Sequence, residues 1–225
     1  MVVVCWSLKG GVGTTVVSAA IALEACRRGE NPLLVDLAGD LPAVLGVDGT
    51  GSGIVDWCSA TGGAGTEALD GLAIDVPGGA RVVGRGSAEW GSADPNRLAT
   101  LVEHLGERTE TVVVDAGDIW TSLPPGGPPP ALVDPLLDLA SRSVLVTRAC
   151  YLALRRVGRQ VRRPSEVVLV VEPGRALDRA DVEAVVGAAV STQVLVDPAV
   201  ARAVDSGLLA RRAPRSLLRA VGAAR

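Results

Sequence analysis

"VVVCWSLKGGVGTTVVSAAIALEAC", residues 2 to 26, joins an apolar run, a glycine-rich turn and a helix-forming stretch end to end. In an open α/β sheet, ligands bind beyond the carboxyl ends of the strands, and the first strand-to-helix turn aims its free backbone donors at them. Gly10, Gly11 and Gly13 let the backbone curl so that several N–H groups, including that of Val12, converge on phosphate oxygens. Glycine spacing alone is a weak signal. It is sharpened by Lys9, the only lysine among 225 residues, the other 21 basic residues being arginines. A lysine is a compact, mobile point charge that enters a crowded phosphate pocket where a broad guanidinium fork does not. Thr14 stands where such turns usually carry a lysine of their own, which raises the question of what chemistry the turn can still support.

Outward from this stretch, apolar runs recur at 2–6, 32–36, 72–76, 80–84, 111–115, 143–147, 166–171 and 193–196. Most are continuous rather than alternating, as strands covered on both faces should be. Helical stretches fall at 14–28, 94–107, 131–141, 151–163, 178–189, 199–206 and 215–224. Alternation of strand and helix predicts an α/β fold, a doubly wound and mostly parallel sheet with helices on both faces. The length suits a single domain over residues 1–225. Hydrophobic residues make up 48% of the chain but aromatic ones only 2%, with no Phe, so the core is expected to be built from Val, Leu, Ala and Ile. Asp94 with Pro95, and Asp178 with Gly187, mark helix ends. "SLPPGGPPPALVDP" (122–135) is rich in proline, which lacks the backbone donor, and reads as a stiff surface loop beyond the strand that ends at Asp115. Residues 124 to 130 of it are a candidate partner surface.

The rest of a nucleotide site assembles at strand ends. Thr15, in the first turn of the helix after the loop, can offer a hydroxyl to magnesium, and Asp36 and Asp115 close two apolar runs where a carboxylate can hold a metal or its water. Each aspartate has a competing reading as a cap or turn residue. Other chemistries fit less well. Cys5, Cys26, Cys58 and Cys150 lack metal-ligand spacing and His104 is the single histidine, so a zinc site has no frame. "GTGSG" and "GRGSAEWG" lack the spacing of a hydrolase nucleophile turn, and the glycine spacing after Lys9 is not that of a dinucleotide-binding turn.

With these residues in hand, the sequence resembles the ParA/MinD superfamily of ATPases with a deviant Walker A loop, K-G-G-x-G-K-[ST]. "SLKGGVGTTVVSAAIALEACRRG" is similar to the loop and first helix, "PLLVDLAGD" to the second strand with switch I, and "TVVVDAGD" to the Walker B strand with switch II. "VLVTRACYLALRR" and "VLVDPAVARAVDSGLLARRAPRSLLRAV" resemble the later parts of the fold. The resemblance implies a P-loop NTPase that binds ATP and Mg²⁺. It assigns nucleotide contacts to Lys9, Gly10, Gly11, Val12, Gly13, Thr14, Thr15 and Asp197, and the metal to Thr15 and Asp115. Catalytic roles go to Lys9, which in this superfamily reaches a partner's phosphates across a nucleotide-dependent homodimer, and to Asp36 and Asp40 in switch I.

Three departures qualify those implications. Thr14 replaces the loop lysine, and losing one such charge-assisted contact costs roughly 1.5–3 kcal/mol. Binding can survive that loss better than phosphoryl transfer, which depends on positioned positive charge. Ala38 replaces the water-orienting switch I aspartate, the next carboxylate being Asp40. Glu172 stands where many members place an adenine-contacting Asn. A loop without its lysine is typical of the TadZ/CpaE-like branch, whose members help to place pilus secretion machinery through protein partners. The expectation is a positioning or scaffolding factor with weak or no hydrolysis; the alternatives are an active ATPase that partitions cargo and a pseudo-ATPase that has lost nucleotide.

Two surface features remain. "RRVGRQVRR" brings Arg155, Arg159, Arg162 and Arg163 onto one face if residues 151–163 form one helix, a face for non-specific DNA contact or simply a solvated one. "RRAPRSLLRAVGAAR" reads as a final core helix or, less well, as a membrane-surface helix. The formal charge of -3 does not announce a polyanion binder. No basic leader precedes the first strand and no apolar run nears the ~20 residues of a membrane span, which predicts a cytoplasmic protein, reaching a pole or membrane complex through a partner.

Overall fold

Val2, Val4 and Trp6 point to one side of the first strand and Val3 and Cys5 to the other, and all five are buried, so helices must cover both faces. The computed structural model describes residues 1–120, 126–159 and 162–223. The chain runs from β1 (Val2–Ser7) through α1 (Thr14–Arg27) to β2 (Leu33–Asp36). Three short helices follow, α2 (Leu41–Leu45), α3 (Ile54–Ser59) and α4 (Thr66–Asp70), then β3 (Ile74–Asp75) and β4 (Arg81–Val83). Longer α/β units complete it: α5 (Pro95–Glu107), β5 (Val112–Asp118), α6 (Pro130–Leu139), β6 (Arg142–Arg148), α7 (Tyr151–Val157), β7 (Glu166–Val171), α8 (Arg179–Val186) and β8 (Val190–Leu195). Three C-terminal helices follow, α9 (Pro198–Asp205), α10 (Leu209–Arg212) and α11 (Arg215–Gly222).

The eight strands form one sheet in the order β3-β4-β2-β5-β1-β6-β7-β8, parallel except for the antiparallel pair β3 and β4. β1 lies between β5 and β6, and the chain leaves it to one side through α1 and passes to the other between β5 and β6. That reversal opens a crevice at the carboxyl end of β1, the place where doubly wound sheets bind ligands. Leucines of α5 and α6 pack on the Trp6 face, and α1, α2 and α11 on the Cys5 face, giving two aliphatic layers. The sequence-based fold class is observed.

Several boundaries differ from expectation. α2, α3, α4 and α10 are too short, at 4 to 6 residues, to show a helical period, and none was expected. The loop expected over 122–135 gives way to helix at Pro130, a first-turn proline whose missing donor costs nothing there, and Pro135 lies inside α6. Residues 121–125, which include Pro124, lie outside the described residues. α7 stops at Val157 with Gly158 as its cap, so the helix expected to reach residue 163 does not. The single arginine face is corrected accordingly: Arg155 is on the helix, Arg159 and Arg162 are beyond it, and Arg162 is paired with Asp134 and Asp138 of α6.

Candidate functional site

The carboxyl end of β1 is tied to β5 before the loop begins. Ser7 Oγ donates to the carbonyl of Gly117 at 3.1 Å, and the Ile119 N–H donates to the Ser7 carbonyl at 2.9 Å. Val12 is anchored in the core at 1% exposure, while Gly10 and Gly11 on either side of the curl are exposed. Gly11 and Gly13 have φ of 75° and 103°, the left-handed region where a side chain is strained, so these two glycines are required by the curl itself. α1 starts at once, with the Val17 N–H bonded to the Gly13 carbonyl. Its first N–H groups therefore face the crevice together with the positive end of the helix dipole.

Within the loop, Thr14 is buried, and Ser18 Oγ donates to its carbonyl at 2.9 Å. Lys9 is partly exposed; its Nζ donates to the Gly10 carbonyl at 3.3 Å and meets no carboxylate among the described residues. Its charge stays available to an anion.

Asp115 on β5 and Asp36 on β2 are register partners on adjacent strands, and both are fully buried. Their surroundings differ. Asp36 spends both oxygens on backbone: Oδ1 accepts from the N–H groups of Ala38 (3.1 Å) and Gly39 (2.7 Å), and Oδ2 from that of Leu41 (3.0 Å). Burial raises its pKa and those three donors lower it again. It thus holds the bend into α2. Asp115 has one such bond, from the Gly117 N–H to Oδ1 at 3.1 Å, while its buried Oδ2 has no hydrogen-bond partner among the described residues. Burial pushes its pKa up to about 7; the nearby Thr15 hydroxyl draws it down, and the Asp36 charge adds to the rise.

A buried, unpartnered carboxylate oxygen beside a hydroxyl at the foot of a phosphate turn is a donor set that suits a hard cation. Among the described residues no group of three His, Cys, Asp or Glu side chains could hold a metal by itself. A magnesium ion here would need Asp115, Thr15 and phosphate oxygens together, which is how Mg²⁺ usually meets nucleotide. The residues fit the group.

The remaining expected positions are more dispersed. Asp40 is exposed at the start of α2 and lines an open groove of about 510 Å³ with Gly39, Asp48, Thr50 and Arg85. Asp197 follows β8, three strand positions from β1 or roughly 14 Å. It caps α9 by accepting from the Ala199 N–H at 2.7 Å, and Ser216 Oγ donates to it at 3.4 Å. Glu172 is held between Arg175, at 2.5 Å, and Arg148, at 3.8 Å, and the Arg175 guanidinium keeps its carboxyl below the usual range.

Sequence reasoning did not single out Arg156, Asp118 or Trp120. Arg156 of α7 donates through Nη1 to the carbonyl of Leu8, the residue before Lys9, at 2.9 Å, and lies 3.8 Å from Asp118 Oδ2. The Leu8 and Arg156 positions are 148 residues apart, and only the strand order brings them together.

No family model matches the sequence, and no curated protein matches it. Solved structures do match the fold. A ParA family ATPase from Chlorobium tepidum superposes with a TM-score of 0.78 at 20% identity over 98% of this chain and 95% of its own. The cell division ATPase MinD of Pyrococcus furiosus gives 0.75 at 21% identity, over 99% of this chain and 97% of its own. A cobyrinic acid a,c-diamide synthase from Mycobacterium smegmatis, with bound ATP analogue and magnesium, gives 0.63 at 19% identity, over 98% and 90%. With its glycine turn at the switch point of the sheet and its carboxylates at the ends of β5 and β2, the chain has the fold of the ParA and MinD ATPases.

Proposed function

We propose that this protein binds ATP with Mg²⁺ at the loop of residues 9–15, hydrolyses it slowly or not at all, and acts as a positioning or scaffolding factor through a nucleotide-dependent homodimer and a protein partner. The observation that carries the reading is the buried Oδ2 of Asp115, unpartnered beside Thr15 at the end of the glycine turn. A fold that kept such an atom for structure alone would bear its desolvation cost with no return. The structure of the cobyrinic acid a,c-diamide synthase, which shares the fold, holds an ATP analogue and magnesium and supports the choice of ligands.

In this reading, the backbone N–H groups from Gly10 to Thr15 bind phosphate oxygens, and Thr15 and Asp115 would hold a magnesium ion, which would supply positive charge to offset that of the phosphates. Lys9, whose Nζ meets no carboxylate among the described residues, can reach phosphates, those of a partner included. What the site lacks is equally specific. Thr14 adds no charge, Ala38 has no carboxylate, and Asp36 has both oxygens committed to backbone donors, so Asp40 is the one switch I carboxylate open to solvent. The loop and switch I thus favour binding over turnover, which depends on charge positioned at positions 14 and 38.

Substituting Thr14→Lys tests this directly. The variant should hydrolyse ATP at least tenfold faster than the wild type, or bind it about ten- to a hundredfold more tightly. A wild type that already turns ATP over as fast as the variant would make it an active ATPase and refute the slow-turnover reading.

A further inference from the structure

The loop has no cation at position 14, and among the described residues Arg156 reaches its edge. Arg156 projects from α7 with its side chain about one-third exposed, at 32%. Its guanidinium faces Leu8, which leads into the glycine turn, and Asp118 and Trp120 at the end of β5. Nη1 donates to the Leu8 carbonyl at 2.9 Å, it stands 3.8 Å from Asp118 Oδ2, and the guanidinium carbon lies 5.7 Å from the centre of the Trp120 ring. Asp118 in turn is the nearest group to Gly10, 3.8 Å from where a β-carbon there would sit. The charge is therefore beside the first glycine of the turn.

Arg156 has a close bond to the Leu8 carbonyl at 2.9 Å, but its hold on Asp118 and Trp120 is weak. A charge-assisted bond between guanidinium and carboxylate closes to about 2.7–2.9 Å, and the pair with Asp118 is longer; the ring contact is near the limit of useful cation–π attraction. A phosphate carries more charge than one carboxylate and matches the guanidinium fork. It would out-compete Asp118 for the same side chain.

We propose that Arg156 is the second phosphate-facing cation of the site: it supplies within one chain the positive charge that Thr14 does not, and leaves Asp118 and Trp120 when a nucleotide polyphosphate occupies the loop. The proposal rests on the nucleotide-binding reading above. It predicts that Asp118 acts as a counter-ion that holds Arg156 back, and that Trp120, whose backbone N–H donates to Asp118 Oδ1 at 3.0 Å and whose ring lies 5.7 Å from the guanidinium carbon, senses the exchange.

The test is calorimetric titration of the full chain with Mg·ATP and Mg·ADP, with tryptophan fluorescence followed in parallel. Arg156→Ala should weaken ATP about tenfold and weaken it more than ADP, and Arg156→Lys should recover part of the loss. Asp118→Asn should tighten ATP. The fluorescence change on adding ATP should be present in the wild type and absent in both Arg156→Ala and Trp120→Phe. If Arg156→Ala does not fold, the Lys and Asn variants still decide. Unchanged ATP affinity in the Arg156 variants overturns the proposal, and so does an equal loss for ATP and ADP with the Trp120 signal intact, which is the mark of mere structural support. A wild type that binds neither nucleotide overturns the reading of the site itself, and this proposal with it.

Discussion

A wholly buried carboxylate beside a second one is costly unless something binds it, and Asp115 is in that position. Its pKa stands at about 7 in the folded protein against 3.8 for the free group. Between those values the folded state holds a proton that the unfolded chain has released. Stability therefore falls as pH rises from about 4 to 7 and stays low above it, the reverse of an ion-paired aspartate. Asp36, raised by burial, pulls in the same direction. Asp115→Asn should remove most of this dependence and stabilise the protein by about 2–4 kcal/mol at pH 8. Thermal melts of both proteins at pH 5 and pH 8 measure it; a gap no larger at pH 8 than at pH 5 would mean that Asp115 is ionised at little cost. The aspartates at 36 and 115 were legible in the sequence because they end apolar runs. Their division of labour was not, because it depends on which backbone donors each one meets after folding.

At the scale of elements, two glycines with similar backbone angles do different work. Gly46 caps α2 at φ 77°, and a β-carbon there would lie 1.9 Å from the Gly207 carbonyl, in the turn between α9 and α10. At Gly11, φ 75°, an added β-carbon would meet nothing within 4 Å among the described residues. Gly46→Ala must push two backbone segments apart and should cost about 2–5 kcal/mol in denaturant unfolding. Gly11→Ala meets only the local left-handed penalty of about 1–2 kcal/mol, and its larger effect should be on nucleotide affinity. Equal losses of stability would show that the loop glycine serves folding as much as binding. Longer elements were readable from their period and caps: α5 begins at Asp94 and Pro95 and α8 at Asp178, as expected. The segment between β2 and β4 was not, since α2, α3 and α4 each span at most six residues and are held by tertiary contacts such as the Asp56 bonds to Ser87 and Ala88. α7 was read too long because the arginine run continues past Gly158, while the helix does not.

For the whole molecule, continuous apolar strands alternating with helices were enough to predict the doubly wound sheet, and the glycine turn after β1 to locate the crevice. The partners that complete the site come from far along the chain. Arg156 meets Leu8 because β6 is laid beside β1, and no local pattern encodes that neighbour. Nor does the sheet put the expected contacts in one pocket: Asp197 is three strands from the loop, so one ligand touching both must extend along the carboxyl edge from β1 to β8. A nucleotide with its phosphates on the loop has that reach. In the proposed function the loop holds a nucleoside triphosphate with threonine, not lysine, at position 14. Calorimetric titration of the protein with ATP and Mg²⁺, with sedimentation alongside, tests it most directly. Micromolar binding that drives dimerisation and is lost in Lys9→Ala is the predicted result, and absence of binding at millimolar ATP would contradict it.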